Sequence, residues 1–378
     1  MPYWRLSTFY LFYFVSIGAF VPYWTLYLKS LGYSSAEIGE LMAVIMITKV
    51  VSPNVWGWLA DHTGRRMLIV QIGCVCAALG FVGVFFAENY WQLMLVMLFY
   101  SFFWNATLPQ FEATTLNHLG DNPHRYSMIR LWGSIGFIIA VALLGQILAI
   151  EGAMIVPQVL LAVLAVIALM SLWMPAERVD TTPSVDSEPL LQVLRKPQVA
   201  AVLVACFLNQ ASHGPYYTFY TIYLETHGYS SGVIGLLWAL GVIAEVGVFL
   251  IMHRLVQGIG LRRLFMISMM LTSVRWVMIG FGVENPAVLL AAQLLHAASF
   301  GIYHAVAIQL IHRFFKGKHQ GKGQAMYSSV SFGLGGAVGA LYAGYLWEWA
   351  GATQTFLVAA VLSAAAYLVV WRGVRGMH

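Results

Sequence analysis

Charge is what this sequence has least of. Only 9% of its 378 residues are Asp, Glu, Lys or Arg, where a water-soluble protein carries roughly 25%. So few charges cannot cover a globule in water. With 60% hydrophobic residues and a mean hydropathy of +0.76, most of the surface must face lipid. The pI near 9.0 therefore does not point to nucleic acid; the basic residues are expected on one side of a bilayer.

Cysteine is also scarce. Cys74, Cys76 and Cys206 all lie in apolar stretches. Cys74 and Cys76 are two apart, so on a helix they point about 200° apart and suit neither a disulfide nor a metal. They read as small buried apolar residues, and no metal or cofactor is expected. The sequence lacks H-E-x-x-H and paired membrane aspartates, which argues against an intramembrane enzyme. It has no room for the soluble domain that a non-transporting receptor would usually need. Gly333, Gly335, Gly336 and Gly339 fall inside an apolar run with no preceding strand, so they suggest close helix packing rather than a nucleotide loop. At the N-terminus one basic residue, Arg5, precedes an apolar run to Leu28. A cleavable leader has an apolar core of about 7–15 residues, so this run is expected to be the first spanning helix.

Twelve apolar segments have spanning length: 6–28, 36–60, 67–87, 91–117, 127–150, 153–173, 198–225, 232–256, 262–283, 286–311, 323–347 and 352–372. The short connectors carry turn residues, among them Asn89, Asp121, Pro123, Gly152 and Asn285-Pro286. With the N-terminus inside, seventeen of the twenty Lys and Arg residues fall on the inner side. Lys29 falls outside, and Lys49 and Arg275 within spans. Glu88, Glu151, Glu225, Glu284 and Glu348 mark the outer connectors. A missed or extra span would destroy this separation. The expectation is an all-α membrane protein of twelve transmembrane helices with both termini cytoplasmic. Residues 1–173 would form one six-helix half and 197–378 the other. The stretch 174–196, rich in Pro, Ser, Thr and acid, would be an inner linker, with a short helix possible over Leu190 to Leu194.

Residues 27–41 and 223–237 share nine of fifteen amino acids at an offset of 196. The halves are thus two copies of one unit. Such repeats in membrane proteins mark transporters with a site near the bilayer midplane. The offset pairs Lys49 with Glu245, each about 13 residues into its span and so roughly 20 Å deep.

Between spans 2 and 3 stands Gly57-Trp-Leu-Ala-Asp61-His-Thr-Gly64-Arg65-Arg66. Gly57 suits a close helix contact, Gly64 a left-handed turn, and Asp61 a pairing with a nearby arginine or helix N-terminus. The loop resembles the signature of the major facilitator superfamily. The resemblance implies an inner-gate role for Gly57, Asp61, Gly64, Arg65 and Arg66, and two bundles that alternate access. The second copy, around Gln257 and Gly260, keeps the glycine and loses the acid.

Ionisable residues within spans are costly and are functional candidates by default. They are Lys49, Glu112, Arg130, Glu245 and Arg275, with His213, His296 and His304. Glu245 has two possible cationic partners, Lys49 and Arg275. The result is either a packing ion pair or an acid that a proton neutralises when its partner leaves. Glu112 and Arg130 can face each other across an inner turn, as an inner-gate salt bridge or as a binding pair. Trp104-Asn105-Ala106 with Pro109 and Glu112, and Arg130-Leu-Trp-Gly133-Ser-Ile-Gly136-Phe137, resemble the lactose permease family. That resemblance implies solute contacts for Glu112 and Arg130 and a stacking aromatic at Phe137. Arg275 and His296 also match that family. Its proton-carrying Glu is Ser299 here, and its other Glu falls near Val242, so its mechanism does not transfer directly.

Leu240-Gly-Val-Ile-Ala-Glu245-Val, Val274-Arg275-Trp276, Gln293-Leu-Leu-His296, Arg130-Leu-Trp-Gly-Ser134, Tyr216-Tyr217 and Ile222-Tyr223 look like the phenylpropionate permease family, over nearly the whole chain. This resemblance implies proton-linked uptake of an aromatic monocarboxylate. Lys49, Arg130 and Arg275 can hold a carboxylate. Trp104, Trp132, Tyr216, Tyr217 and Trp238 can line an apolar slot, or simply pack. The expected binding set is Lys49, Trp104, Asn105, Glu112, Arg130, Phe137, Tyr216, Tyr217 and Trp238. The expected coupling set is Glu245, Arg275, His296 and Glu112. His213, beside Gly214-Pro215 where span 7 is expected to break, can line a cavity or satisfy freed backbone groups. The partners expected are a small solute, protons and lipid, in a bacterial inner membrane, with a monomer sufficient. Sugar or nucleoside symport and drug export are the alternatives.

Overall fold

The computed structural model describes residues 2–120, 125–174, 190–316 and 319–374. In these it is built of helices, the form that lets an apolar chain satisfy its own backbone in lipid. Among the described residues, eleven helices are long and apolar enough to cross a membrane. Six precede the linker: α1 (Tyr3–Ser30), α2 (Ser35–Thr63), α3 (Arg66–Phe81), α4 (Tyr90–Leu119), α5 (Tyr126–Glu151) and α6 (Val156–Leu172). A turn of 3₁₀ helix extends each of α3 and α6. The expected seventh span is two shorter helices, α7 (Pro197–Ser212) and α8 (Gly214–Thr226), separated at His213. Then come α9 (Ser231–Ile259), α10 (Leu261–Gly282), α11 (Pro286–Phe314), α12 (Gln320–Ala350) and α13 (Ala352–Gly373). The short helix at Leu190–Leu194 is present. Most of the linker, the turn with Asp121 and Pro123, and Arg178, Lys318 and Arg375 lie outside the described residues.

The sequence repeat is also a repeat of backbone geometry. Gly32 and Gly228, 196 apart, both have left-handed φ, at 86° and 81°. They end α1 and α8 in the same motif, with Tyr33 N–H donating to the Leu28 carbonyl and Tyr229 N–H to that of Leu224. Ser34 then caps α2 by accepting from Glu37 N–H, whose carboxylate accepts from Ser34 N–H at 2.8 Å. This is a reciprocal capping box. Ser230 caps α9 through Val233 N–H, but the residue there is not acidic and the reciprocal half is lost. Gly64 and Gly260 form a second left-handed pair, at 64° and 85°.

Contacts group the chain into two compact units. The first comprises Met1–Tyr33, Ile47–Thr182 and Ser230–Ala239. In it α1 and α5 approach closely because glycines face backbone: a Cβ at Gly136 would collide with the Leu11 carbonyl, and one at Gly18 with that of Phe137 at 2.9 Å. The second unit comprises Ser34–Met46, Pro183–Tyr229 and Leu240–His378. In it the α7–α8 break packs on α12, where a Cβ at Gly214 would collide with Gly339.

Two stretches of the second unit are π-helical, Ala297–Ile302 in α11 and Ser329–Gly335 in α12. Such segments are rare and favour functional sites.

Candidate functional site

Among the described residues, each unit holds a cluster of intramembrane groups that includes a pairing of acid and base. In the first, α4 presents Glu112 and α5 presents Arg130. Arg130 Nε lies 3.9 Å from Glu112 Oε1, and both side chains are about one-third exposed. The gap exceeds hydrogen-bond range, so the pair attracts without locking. Tyr126 donates to the same carboxylate oxygen at 3.2 Å. The Arg130 guanidinium lies 3.9 Å over the Phe14 ring and 5.8 Å from Tyr10. Gly133, one turn on, makes this possible: a Cβ there would stand 2.7 Å from Arg130 Nη1 and 2.8 Å from Phe14.

Beside this pair Trp104 stacks flat on Tyr13, with centroids 4.2 Å apart and planes 2° apart. Phe137 is buried against α1. Asn105 donates to Thr48 at 2.8 Å, and Thr48 donates to Ser101 at 2.9 Å, a polar seam joining α2 to α4. Next to that seam, Lys49 is half-buried and makes no hydrogen bond or ion pair within the first unit among the described residues. Trp238 is buried in the first unit. At the end of α2, Arg66 Nη2 binds Asp61 Oδ1 at 2.7 Å across the Gly64 turn. Gly57 faces Gln110 of α4.

The second cluster centres on Arg275 of α10, which is fully buried. Its guanidinium donates to the Ala292 carbonyl at 2.9 Å, Ser299 Oγ at 3.0 Å, His296 Nδ1 at 3.1 Å and Gln293 Oε1 at 3.3 Å. It also lies 4.2 Å over the Tyr216 ring, whose hydroxyl donates to Gln293 at 3.1 Å. Tyr217 packs against Tyr216 and His213. The position where the lactose permease family has an acid thus supplies a neutral hydroxyl.

The acid arrives from α9. Glu245 Oε2 lies 3.5 Å from His296 Nε2. Glycines frame this contact: Gly241 faces Gln293 and His296, and Gly301 faces Glu245 and Val248.

The hydrogen bonds fix the histidine's form. A guanidinium has only donors, so His296 Nδ1 must accept and carry no proton. The ring's single proton is then on Nε2, facing the carboxylate. His296 is a neutral bridge between a buried cation and an acid.

Of the predicted residues, the structure brings Glu112 with Arg130, and Glu245 with His296 and Arg275. Tyr216 sits under Arg275. Phe14, Tyr13 and Tyr126 join the first cluster without any mark in the sequence. Tyr13 and Phe14 lie in an aromatic-rich α1 where no charge distinguishes one ring from another. Gln293 stands in the sequence only as part of a motif, three residues before His296.

Residues 3–358 match the model of the MFS_1-like family. The chain belongs to this family of the major facilitator superfamily: it is a multi-pass membrane transporter and not an enzyme. It is 28% identical to the probable 3-phenylpropionic acid transporter of Escherichia coli K12, over 95% of each chain. It is 26% identical to the maltose permease of Geobacillus stearothermophilus, over 91% of this chain and 88% of that one. In fold it is similar to the crystal structure of the nucleoside transporter NupG, with a TM-score of 0.81, 16% identity and 100% of each chain covered.

Proposed function

We propose that this protein is a proton-coupled symporter that takes up a small aromatic monocarboxylate. It would have twelve spans and cytoplasmic termini in a bacterial inner membrane, counting α7 and α8 as one broken span. Halves 1–173 and 197–378, joined by 174–196, would rock about the solute, and a monomer would suffice. The observation that carries the reading is the chain Arg275–His296–Glu245, in which the histidine is already committed as an acceptor and Glu245 is the group whose charge a proton can cancel. Protonating Glu245 leaves Arg275 without its counter-charge, so loading with a proton and with an anion become linked.

Arg130 supplies the best carboxylate partner: its guanidinium is held over Phe14, with the Tyr13–Trp104 stack beside it. Lys49, Asn105, Phe137, Tyr217 and Trp238 remain in the proposed binding set, and Gly57, Asp61, Gly64, Arg65 and Arg66 in the inner gate. Tyr216 serves the coupling cluster more directly, since it packs on Arg275. The similarity to a probable 3-phenylpropionic acid transporter supports the solute class.

One observation favours a sugar instead. Glu112 repels a second carboxylate but accepts from hydroxyls, and a flat aromatic face stands nearby. Uptake of labelled 3-phenylpropionate and lactose into vesicles, with and without a pH gradient, separates the two. Uptake of 3-phenylpropionate should rise with inward proton force and alkalinise the medium. No alkalinisation with any carboxylate or sugar would contradict symport.

A further inference from the structure

Both π-helical segments carry the same three residues. Ser299-Phe300-Gly301 lies in one and Ser331-Phe332-Gly333 in the other. Each serine is tied down: Ser299 accepts from Arg275, and Ser331 Oγ shares a 2.8 Å hydrogen bond with Tyr303. The two phenylalanines meet at 6.2 Å between centroids.

They meet beside a histidine that the coupling cluster does not use. Along α11 the rings of His296, Phe300 and His304 form a column, spaced 5.5 and 5.7 Å with interplanar angles of 4° and 8°. Phe332 touches His304 at 5.8 Å. Tyr327, almost fully buried, shares a 2.9 Å hydrogen bond with His304 Nδ1. With α11 running inward as proposed, His304 stands roughly 10–12 Å nearer the cytoplasm than His296. Among the described residues, the titratable and charged groups set against this box include Tyr327 from α12, Tyr303 and His296 along α11, Cys206 of α7, Tyr217 of α8 and, through His296, Glu245 of α9 and Arg275 of α10.

We propose that His304 receives the proton that Glu245 releases on the inner side, and that Phe300 and Phe332 form the gate between them. This rests on the proton-coupled reading above. His296 cannot pass the proton while Arg275 occupies its Nδ1, so the path must leave Glu245 by water and find another base. His304 is half-buried and has a partner suited to both of its states. The Tyr327 hydroxyl donates when Nδ1 is bare and accepts when Nδ1 is protonated. In the step, Glu245 goes from acid to carboxylate, water carries the proton, and His304 goes from imidazole to imidazolium. His304 then gives the proton to water on the inner side.

The π-helical geometry provides the movement. A π segment holds one residue more than the α-helix needs. Returning it to α turns the helix beyond it by about 100°, which carries a phenylalanine out of the column or into it. The glycine in each segment allows the change without a side chain to repack.

The test uses the full-length protein in proteoliposomes with labelled 3-phenylpropionate. Exchange at equal concentrations returns the carrier still protonated and needs no release; accumulation does. His304→Gln should keep exchange within about twofold and lower gradient-driven accumulation at least about tenfold, with net flux losing its dependence on interior pH. Phe300→Ala should admit protons without solute. Normal accumulation and interior-pH dependence in His304→Gln would overturn the proposal. So would loss of exchange together with accumulation in both variants, which would make the box a packing feature. If the parent protein moves no protons with solute, the symport reading fails, and the relay with it.

Discussion

His296 presents Nε2 to Glu245 Oε2 at 3.5 Å, and it can do so only as a neutral ring because Arg275 donates to Nδ1. An acid and a buried cation are thereby joined through one shared imidazole. The acid can be neutralised while the cation keeps its four acceptors. Coupling by this route needs the histidine as a spacer of fixed polarity. His296→Gln should therefore be mild for folding and severe for coupling, because Gln can accept from Arg275 but lacks the ring's reach to Glu245. Accumulation should fall at least about tenfold with exchange retained; equal loss of both would make His296 a packing residue.

Arg275 itself is a structural keystone. Its planar fork reaches four acceptors and faces two rings, Tyr216 and Trp276. Lysine keeps the charge but cannot make the fork. Arg275→Lys should cost about 2–4 kcal/mol of stability, read as a lower unfolding midpoint in detergent. An unchanged midpoint would show that the fork is dispensable.

Glycine offers an internal comparison. At Gly133 a new Cβ meets Arg130 Nη1 at 2.7 Å and Phe14 at 2.8 Å, and at Gly247 it meets nothing within 4 Å. Gly133→Ala should push the guanidinium off Phe14 and weaken solute affinity between about ten- and a hundredfold. Gly247→Ala should leave transport unchanged and add up to about 1 kcal/mol through helix propensity. Equal behaviour of the two would argue that Arg130 does not position solute.

The repeat and the charges are legible in the sequence because they leave discrete marks. The 196-residue offset announces the paired turns at Gly32 and Gly228, and Pro215 announces the break at His213 by removing a helical N–H. Pairing of Glu112 with Arg130 follows from their spacing across one turn. Other features leave no such mark. The π segments differ from α-helix by one residue of register, which hydropathy does not record. Ser299 reads in the sequence as the absence of an acid, and its hydrogen bond to Arg275 depends on that register. The Tyr13–Trp104 stack joins α1 to α4, and in an aromatic-rich chain nothing in the sequence picks those two rings from the rest.

Topology has its own test. In a cysteine-free background, single cysteines at Glu151 and Glu284 should react with a membrane-impermeant maleimide from outside, and one at Arg195 only from inside. Labelling of position 195 from outside intact cells would contradict the twelve-span arrangement, because α6, which lies between positions 151 and 195, would then not cross the membrane as one span.

The central claim is that Glu245 carries the coupling proton, and Glu245→Gln tests it most directly. In vesicles with a pH gradient, this variant should fail to accumulate solute while still exchanging it at equal concentrations. Accumulation at the parent level would remove Glu245 from the mechanism.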